Sequence, residues 1–495
     1  MREKGVRPLS GQQSYASAYK RRWRRRDIVI RQMPRNAAPE NRARVFSVSQ
    51  CLRGFIFCVL PHKSCLRGFI FCVLPPKTCL RVLAVLCSGF VVFGMSVSAH
   101  DWPQFLGPER NGVYSGPPLA SSWPAGGPRK VWRKPVGEGF AGPVVAGDRL
   151  VLFHRVGNEE VVEALDARTG NPRWRYAYPT SYRDDFGFDE GPRAVPVIAQ
   201  GRVYTFGAEG QLHAIDLATG QRIWSVDTAR RFQVRKGFFG AAGSPLVEDG
   251  RVIANIGGVD GGKDAGVVAF KADTGAILWT ATNHQASYSS PVGATFSGKR
   301  AAVLLTRQGL LGLDPASGAV LFQRTWRSRS ASSVNAASPV VVGDRIFISA
   351  SYETGAALLR VQGNTLAEIW SQDEAMSNHY ATSVVHNGVL YGFHGRQEFS
   401  PSLRAVALDT GVVRWSIDRF KAGTVTLAGD KLLILRETGE LMLAPAVPDA
   451  FRPMAQAQIL PATVRALPAL ADGFLYARNS DTRNNELACL DLRPQ

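Results

Sequence analysis

An eleven-residue phrase recurs five times between residues 164 and 415, as ALDARTGNPRW (164–174), AIDLATGQRIW (214–224), AFKADTGAILW (269–279), GLDPASGAVLF (312–322) and AVALDTGVVRW (405–415). Each copy reads as a strand, a turn and a second strand ending in an aromatic ring. A chain that rewrites one supersecondary unit at such an interval has to stack its copies to bury them. Gly170, Gly220, Gly275, Gly318 and Gly411 hold one fixed place in the phrase, where the turn asks for a left-handed backbone. The Thr or Ser before each glycine can bond the turn through its hydroxyl. The closing rings Trp174, Trp224, Trp279, Phe322 and Trp415 offer a flat surface that one sheet can bury against the next.

Ahead of these phrases lie GPVVAGDRLVLF (142–153), VPVIAQGRVYTF (195–206), SPLVEDGRVIA (244–254), SPVVVGDRIFIS (338–349) and TSVVHNGVLYGF (382–393). Each reads as two short strands around a tight turn, since Gly-Asp, Gln-Gly, Asp-Gly and Asn-Gly supply the positive φ a hairpin turn demands. Hairpin plus phrase makes a four-stranded antiparallel blade, so the fold expected is an all-β propeller. The pattern Ala-x-Asp-x-x-Thr-Gly-x-x-x-Trp resembles the tryptophan-docking motif of the PQQ-like (quinoprotein-type) repeat propellers, and the resemblance runs over essentially all of residues 101–495. Departures are Lys271 and Ala407 at the Asp position, Phe322 at the Trp position, and LRVQGNTLAEIW (359–370), which keeps only Trp370. The opening DWPQFLGPERNGVYSG (101–116) also resembles the lead-in of such propellers and is expected to pack across one face.

The aromatics fall at Trp132, Trp174, Trp224, Trp279, Phe322, Trp370 and Trp415, a mean step of about 47, and only 80 residues follow Trp415. Eight blades fit that length if Trp132, in KVWRKPV, supplies the outer strand of a last blade whose inner strands are ALPALADGFLYAR (466–478) and ELACLDL (486–492). Closing the ring with a strand from the other terminus removes the open sheet edges. The chain thus divides into 1–99, a lead-in over 100–127, and a propeller over 128–495.

Residues 79–99, CLRVLAVLCSGFVVFGMSVSA, combine a basic approach, a short apolar run and small residues ending at Ala99. That is the pattern of a secretory signal peptide. Residues 1–99 are therefore expected to be removed, leaving a periplasmic or secreted protein without a transmembrane span. N-terminal sequencing of the exported protein should begin near His100, and a mature form that keeps KRRWRRR (20–26) would contradict this. Cys87 follows Val85 and Leu86 rather than the small residues of a lipidation site. Further upstream, CLRGFIFCVLPHKS (51–64) recurs almost unchanged as CLRGFIFCVLPPKT (65–78), which looks like a recent duplication.

The same boundary divides charge and cysteine. The chain's +19 is misleading, because residues 1–99 hold 18 of the 59 Lys and Arg against three of the 40 acids. What remains is 41 basic and 37 acidic groups, which gives no electrostatic argument for nucleic acid as a partner. Cys489 stands alone after residue 99, so the body has no intramolecular disulfide and must be held by its core. A monomer is expected.

Propellers bind ligands where the loops entering the innermost strands converge on the channel. Those loops carry Arg193, Tyr288, Asn335, His379 and Tyr380, the candidate channel-mouth residues, together with Phe239, Ser289 and the acids Asp184, Asp185, Asp189 and Glu190. Such a ring suits an anion, a sugar or a quinone, and equally lines the wet rim of any propeller. SYRDDFGFDEGPR (181–193) could hold calcium through its oxygens, but its spacing matches no calcium loop, and solvated acids on a long loop read as well. GGVDGGKDAG (257–266) reads as a hairpin tip rather than a phosphate loop. Eight scattered histidines give no metal spacing.

The resemblance implies two classes of function. One is a quinoprotein dehydrogenase holding PQQ with calcium; against it stands the absence from the body of the adjacent cysteine pair those enzymes carry. The other is a non-catalytic exported scaffold of BamB type, with a protein or small-molecule ligand at the channel mouth. The latter is the reading favoured by the sequence, with no catalytic, cofactor or metal residue assigned; a carbohydrate-binding or carbohydrate-processing propeller is a third.

Overall fold

The computed structural model describes residues 100–330, 334–481 and 484–494. The expected signal peptide, the KRRWRRR stretch and the duplicated segment lie outside these. The described residues form eight antiparallel blades of four strands, one of which gains a fifth. The first blade is typical: Val144–Ala146, Arg149–Val156, Glu159–Asp166 and Pro172–Pro179. Its middle strands are buried on both faces, which is why LVLF (150–153) reads as a continuous apolar run, whereas the outermost strand is half-exposed along its length. The hairpin turns take the expected conformation, with φ of +50° and +72° at Gln200 and Gly201 and +47° and +75° at Asn387 and Gly388. Residues 257–266 are indeed a hairpin tip, between Arg251–Asp260 and Lys263–Lys271.

The repeated phrase works as a lock between blades. The Trp174 ring lies over Gly220 of the next blade, where a Cβ would come within 2.7 Å of it, and Trp174 Nε1 donates to the Leu217 carbonyl at 2.8 Å. The same pair of contacts joins Trp224 to Gly275 and Ala272, Trp279 to Gly318 and Pro315, and Trp370 to Gly411 and Leu408. Each glycine is thus required twice, by its positive φ and by the ring that covers it. Asp166 and Asp216 accept from the two following amides and the Thr hydroxyl of their own turns. Phe322 has no N–H to donate and packs over Gly312 of its own blade.

Strand Arg129–Pro135 pairs antiparallel with Glu486–Asp491, outside Phe474–Arg478 and Ala469–Ala471, so the eighth blade is built from both ends of the described chain. Trp132 makes the interblade contact there, over Gly170 and to the Ala167 carbonyl at 3.0 Å. The seventh blade has no docking phrase, and its outer strand is Ala455–Gln458. Even so, Trp415 Nε1 finds the Val447 carbonyl of that blade at 3.0 Å.

The lead-in does more than lie across a face. Trp102, 1% exposed, bridges Val145 of the first blade. Pro103 O accepts from Ile198 of the second, and Val113–Tyr114 adds a parallel strand to the innermost strand, Gly423–Ala428, of the seventh. Between these contacts Arg110 is fully buried. It donates to the carbonyls of Ser244, Pro245 and Pro291, which directly precede the innermost strands of the third and fourth blades, and to Gln104 Oε1. Burial lowers its pKa to about 9, which leaves it charged at neutral pH. The segment ties the inner edges of blades on opposite sides of the ring.

Candidate functional site

Phe105 and Leu106 of the lead-in contribute to the wall of a cavity of about 190 Å³ among the loops entering the innermost strands. The register of these loops repeats. The residue four places before each innermost strand lines the cavity in seven of the eight blades: Phe140, Arg193, Ala242, Tyr288, Ala336, Tyr380 and Arg465. The sixth of these approaches lines the wall with consecutive residues, His379 to Thr382.

Of the sequence candidates, Arg193, Tyr288, His379 and Tyr380 come together on this wall. Asn335 does not. It stands one place off the register, with its amide donating to the carbonyls of Thr306 at 2.8 Å and Trp326 at 3.0 Å, and Ala336 takes the lining position. Phe239 lines the cavity, whereas Ser289 is buried outside its lining. Sequence reasoning missed Arg465 and the rings of Phe140 and Phe188. The signal for Arg465 was present, since it stands before Ala469 as Arg193 stands before Val197.

The acids of 181–193 are each engaged by a partner, and two of them are buried. Asp184, whose side chain is fully buried, pairs with Arg193 at 3.3 Å, Asp185 with Lys236 at 2.8 Å and Glu190 with Arg183 at 2.9 Å. Asp189 accepts from the Gly139 and Gly191 amides and the Ser480 hydroxyl, which clamps the loop to the first and eighth blades. Burying this carboxylate is offset by these donors.

Two guanidiniums face the cavity. Arg193 is spent on its own loop, through Asp184 and the Asp189 carbonyl, and lies 5.5–5.7 Å from the ring centres of Phe140, Tyr182 and Phe239. Arg465 lies 5.2 Å from Phe188 and 5.5 Å from Phe140, and its Nε donates to Glu437 at 2.7 Å. Burial works against the Arg465 charge, but Glu437 raises its pKa overall. The Tyr380 hydroxyl donates to the same Glu437 oxygen at 2.8 Å; burial, then that carboxylate, raises its pKa well above the usual phenol value. His379, between the Tyr352 hydroxyl and Gln397, is driven by burial down to about 4 and is neutral at pH 7.

PQQ with calcium is a poor fit to this wall. Among the described residues no Asp or Glu lines the cavity, and Glu437 behind it already accepts from Arg465 and Tyr380. A hard divalent cation needs several oxygen ligands, and here it would instead meet two guanidiniums. Nor does any group of three or more His, Cys, Asp or Glu suited to a metal ion occur among the described residues. Cys489 is buried, with its thiol pKa raised to about 12 by that burial, which makes it unreactive. No helix among these residues is long and apolar enough to cross a membrane.

A family model described as outer membrane protein assembly factor BamB matches residues 157–417. BamB of Burkholderia pseudomallei is 27% identical over 290 residues, covering 49% of this chain and 71% of that protein. Quinohemoprotein alcohol dehydrogenase ADH-IIG of Pseudomonas putida is 38% identical over 142 residues, 28% of this chain and 19% of the dehydrogenase. The chain thus spans about a fifth of that relative's length. The solved quinohemoprotein alcohol dehydrogenase of Comamonas testosteroni superposes with a TM-score of 0.59 at 14% identity, covering 84% of this chain and 85% of that one, a likeness of fold alone.

Proposed function

Since this chain belongs to the family of PQQ-like repeat propellers whose model bears the BamB description, we propose that it is an exported, non-catalytic binding scaffold that takes its ligand at the channel mouth. One observation carries this reading: the cavity wall presents two guanidiniums and aromatic rings, with no carboxylate among its described residues. Calcium-assisted quinone chemistry requires a Lewis acid held by oxygen ligands and a base to take the substrate proton. His379 is a weak base, engaged by Tyr352 and Gln397, and Glu437 is engaged by Arg465 and Tyr380.

The second reading is a divergent quinoprotein dehydrogenase oxidising alcohols or sugars, favoured by the local identity to the Pseudomonas enzyme. Dye-linked oxidation of alcohols and sugars separates the two. With PQQ and calcium supplied, the purified protein is expected to show no turnover above a protein-free control. Turnover that requires PQQ and disappears in Arg193→Ala would establish the dehydrogenase instead.

A further inference from the structure

We infer that the channel-mouth cavity binds an aryl carboxylate of one or two rings, its carboxylate on the free edge of Arg465 and its rings among Phe140, Phe188 and Phe239. This rests on the reading of the channel mouth as a binding site and names what it takes.

A guanidinium is a planar fork of five donors that meets a carboxylate in its own plane, two N–H groups to two oxygens. Glu437 uses Nε of Arg465, and no described hydrogen bond engages either terminal nitrogen, although the residue lines the cavity. Glu437 is itself fixed by the Tyr380 hydroxyl, so the fork is held before a ligand arrives. Phe140 and Phe188 lie against the guanidinium at 5.5 and 5.2 Å, and an in-plane anion can use the open edge without disturbing them. Arg193 differs, since Asp184 and the Asp189 carbonyl already occupy it.

The rest of the wall asks for a flat apolar body. Phe239 lies 6.4 Å from Phe188 and 5.4 Å from Tyr288, and Leu106 and Val425 line the cavity with them. Aromatic rings of a ligand can offset-stack or meet these edges. The volume, about 190 Å³, sets the size: a cavity of about 150 Å³ admits benzene, whereas drug-sized ligands occupy about 300 Å³ or more. One ring or two fill that space, and a larger body would extend out through the open mouth.

The test is calorimetric titration of the full exported protein with 2-naphthoate and, separately, with its neutral isostere 2-naphthamide. Saturable naphthoate binding is expected, at least about tenfold tighter than the amide and weakened about tenfold in Arg465→Lys, which keeps the charge and loses the fork. No saturable naphthoate binding, equal binding of the amide, or unchanged affinity in folded Arg465→Lys overturns the proposal. If that variant does not fold, the comparison of the two ligands on the unaltered protein decides. Naphthoate failing in a protein without PQQ-dependent turnover rejects the ligand class and leaves the scaffold reading standing. PQQ-dependent turnover rejects the scaffold reading itself.

Discussion

Trp132→Ala is expected to destabilise the protein by about 3 kcal/mol, the lower part of the range for truncating a large aromatic, because the ring is only half-buried. Its cost is out of proportion to its place near the start of the described chain. The strand that carries it closes the eighth blade, and its ring covers Gly170 of the first, where an added Cβ would come within 2.8 Å. Truncation removes that cover and the hydrogen bond to the Ala167 carbonyl, and so loosens the one interblade seam formed between the two ends of the propeller. Gly170→Ala attacks the same seam from the other side, adding a clash to an unfavourable φ of +72°. Equilibrium denaturation measures both. Unchanged stability in Trp132→Ala would mean that the ring is not closed by this strand.

The second large effect is expected from Arg110→Met, which keeps an unbranched side chain of similar length and removes every donor. Three carbonyls at the inner ends of the third and fourth blades and the Gln104 amide oxygen lose their partner together. A buried acceptor left unmet costs about 1–3 kcal/mol, and relief from burying the guanidinium charge recovers part of the sum, so a net loss of about 3 kcal/mol is expected. The lead-in should also become cleavable by protease between residues 101 and 116 at concentrations that leave the unaltered protein intact. A loss under about 0.5 kcal/mol, the range of an ordinary surface change, would show that the segment is not a structural hub.

The repeats were legible because their residues answer to local rules. The turn glycines need positive φ, and the tryptophans recur at one distance from them, so blade number and the closing role of Trp132 followed from spacing. Spacing could not show that each glycine also makes room for the ring of the preceding blade, since that contact joins separate repeats. The contacts of the lead-in were hidden for a similar reason. Arg110 stands beside Glu109 with no local partner written around it, and only the closed ring places three backbone carbonyls there.

The candidate site was legible by residue type more than by register. Arg193, Tyr288, His379 and Tyr380 were singled out as polar or aromatic groups on the right loops, and four of the five candidates line the cavity. Asn335 was chosen for its chemistry, but its amide is drawn onto the Thr306 and Trp326 carbonyls, whereas His379, at the same place before its own strand, lines the cavity. Arg465 was passed over because its loop, PATVRALPAL, follows the blade without a docking phrase, where the spacing of the repeat is lost. Counting four places back from each innermost strand recovers it. The acids of 181–193 read as unpartnered because the groups that engage them, Ser480 and Lys236 among them, lie far away in sequence.

On the proposed reading, a wall of guanidiniums and aromatic rings makes the channel mouth a binding site without quinone chemistry. The most direct measurement is the visible spectrum and calcium content of the purified protein after incubation with PQQ and calcium and removal of the unbound cofactor by gel filtration. The account predicts neither chromophore nor calcium above background in the protein fraction. Stoichiometric PQQ carried through the column together with calcium would contradict it.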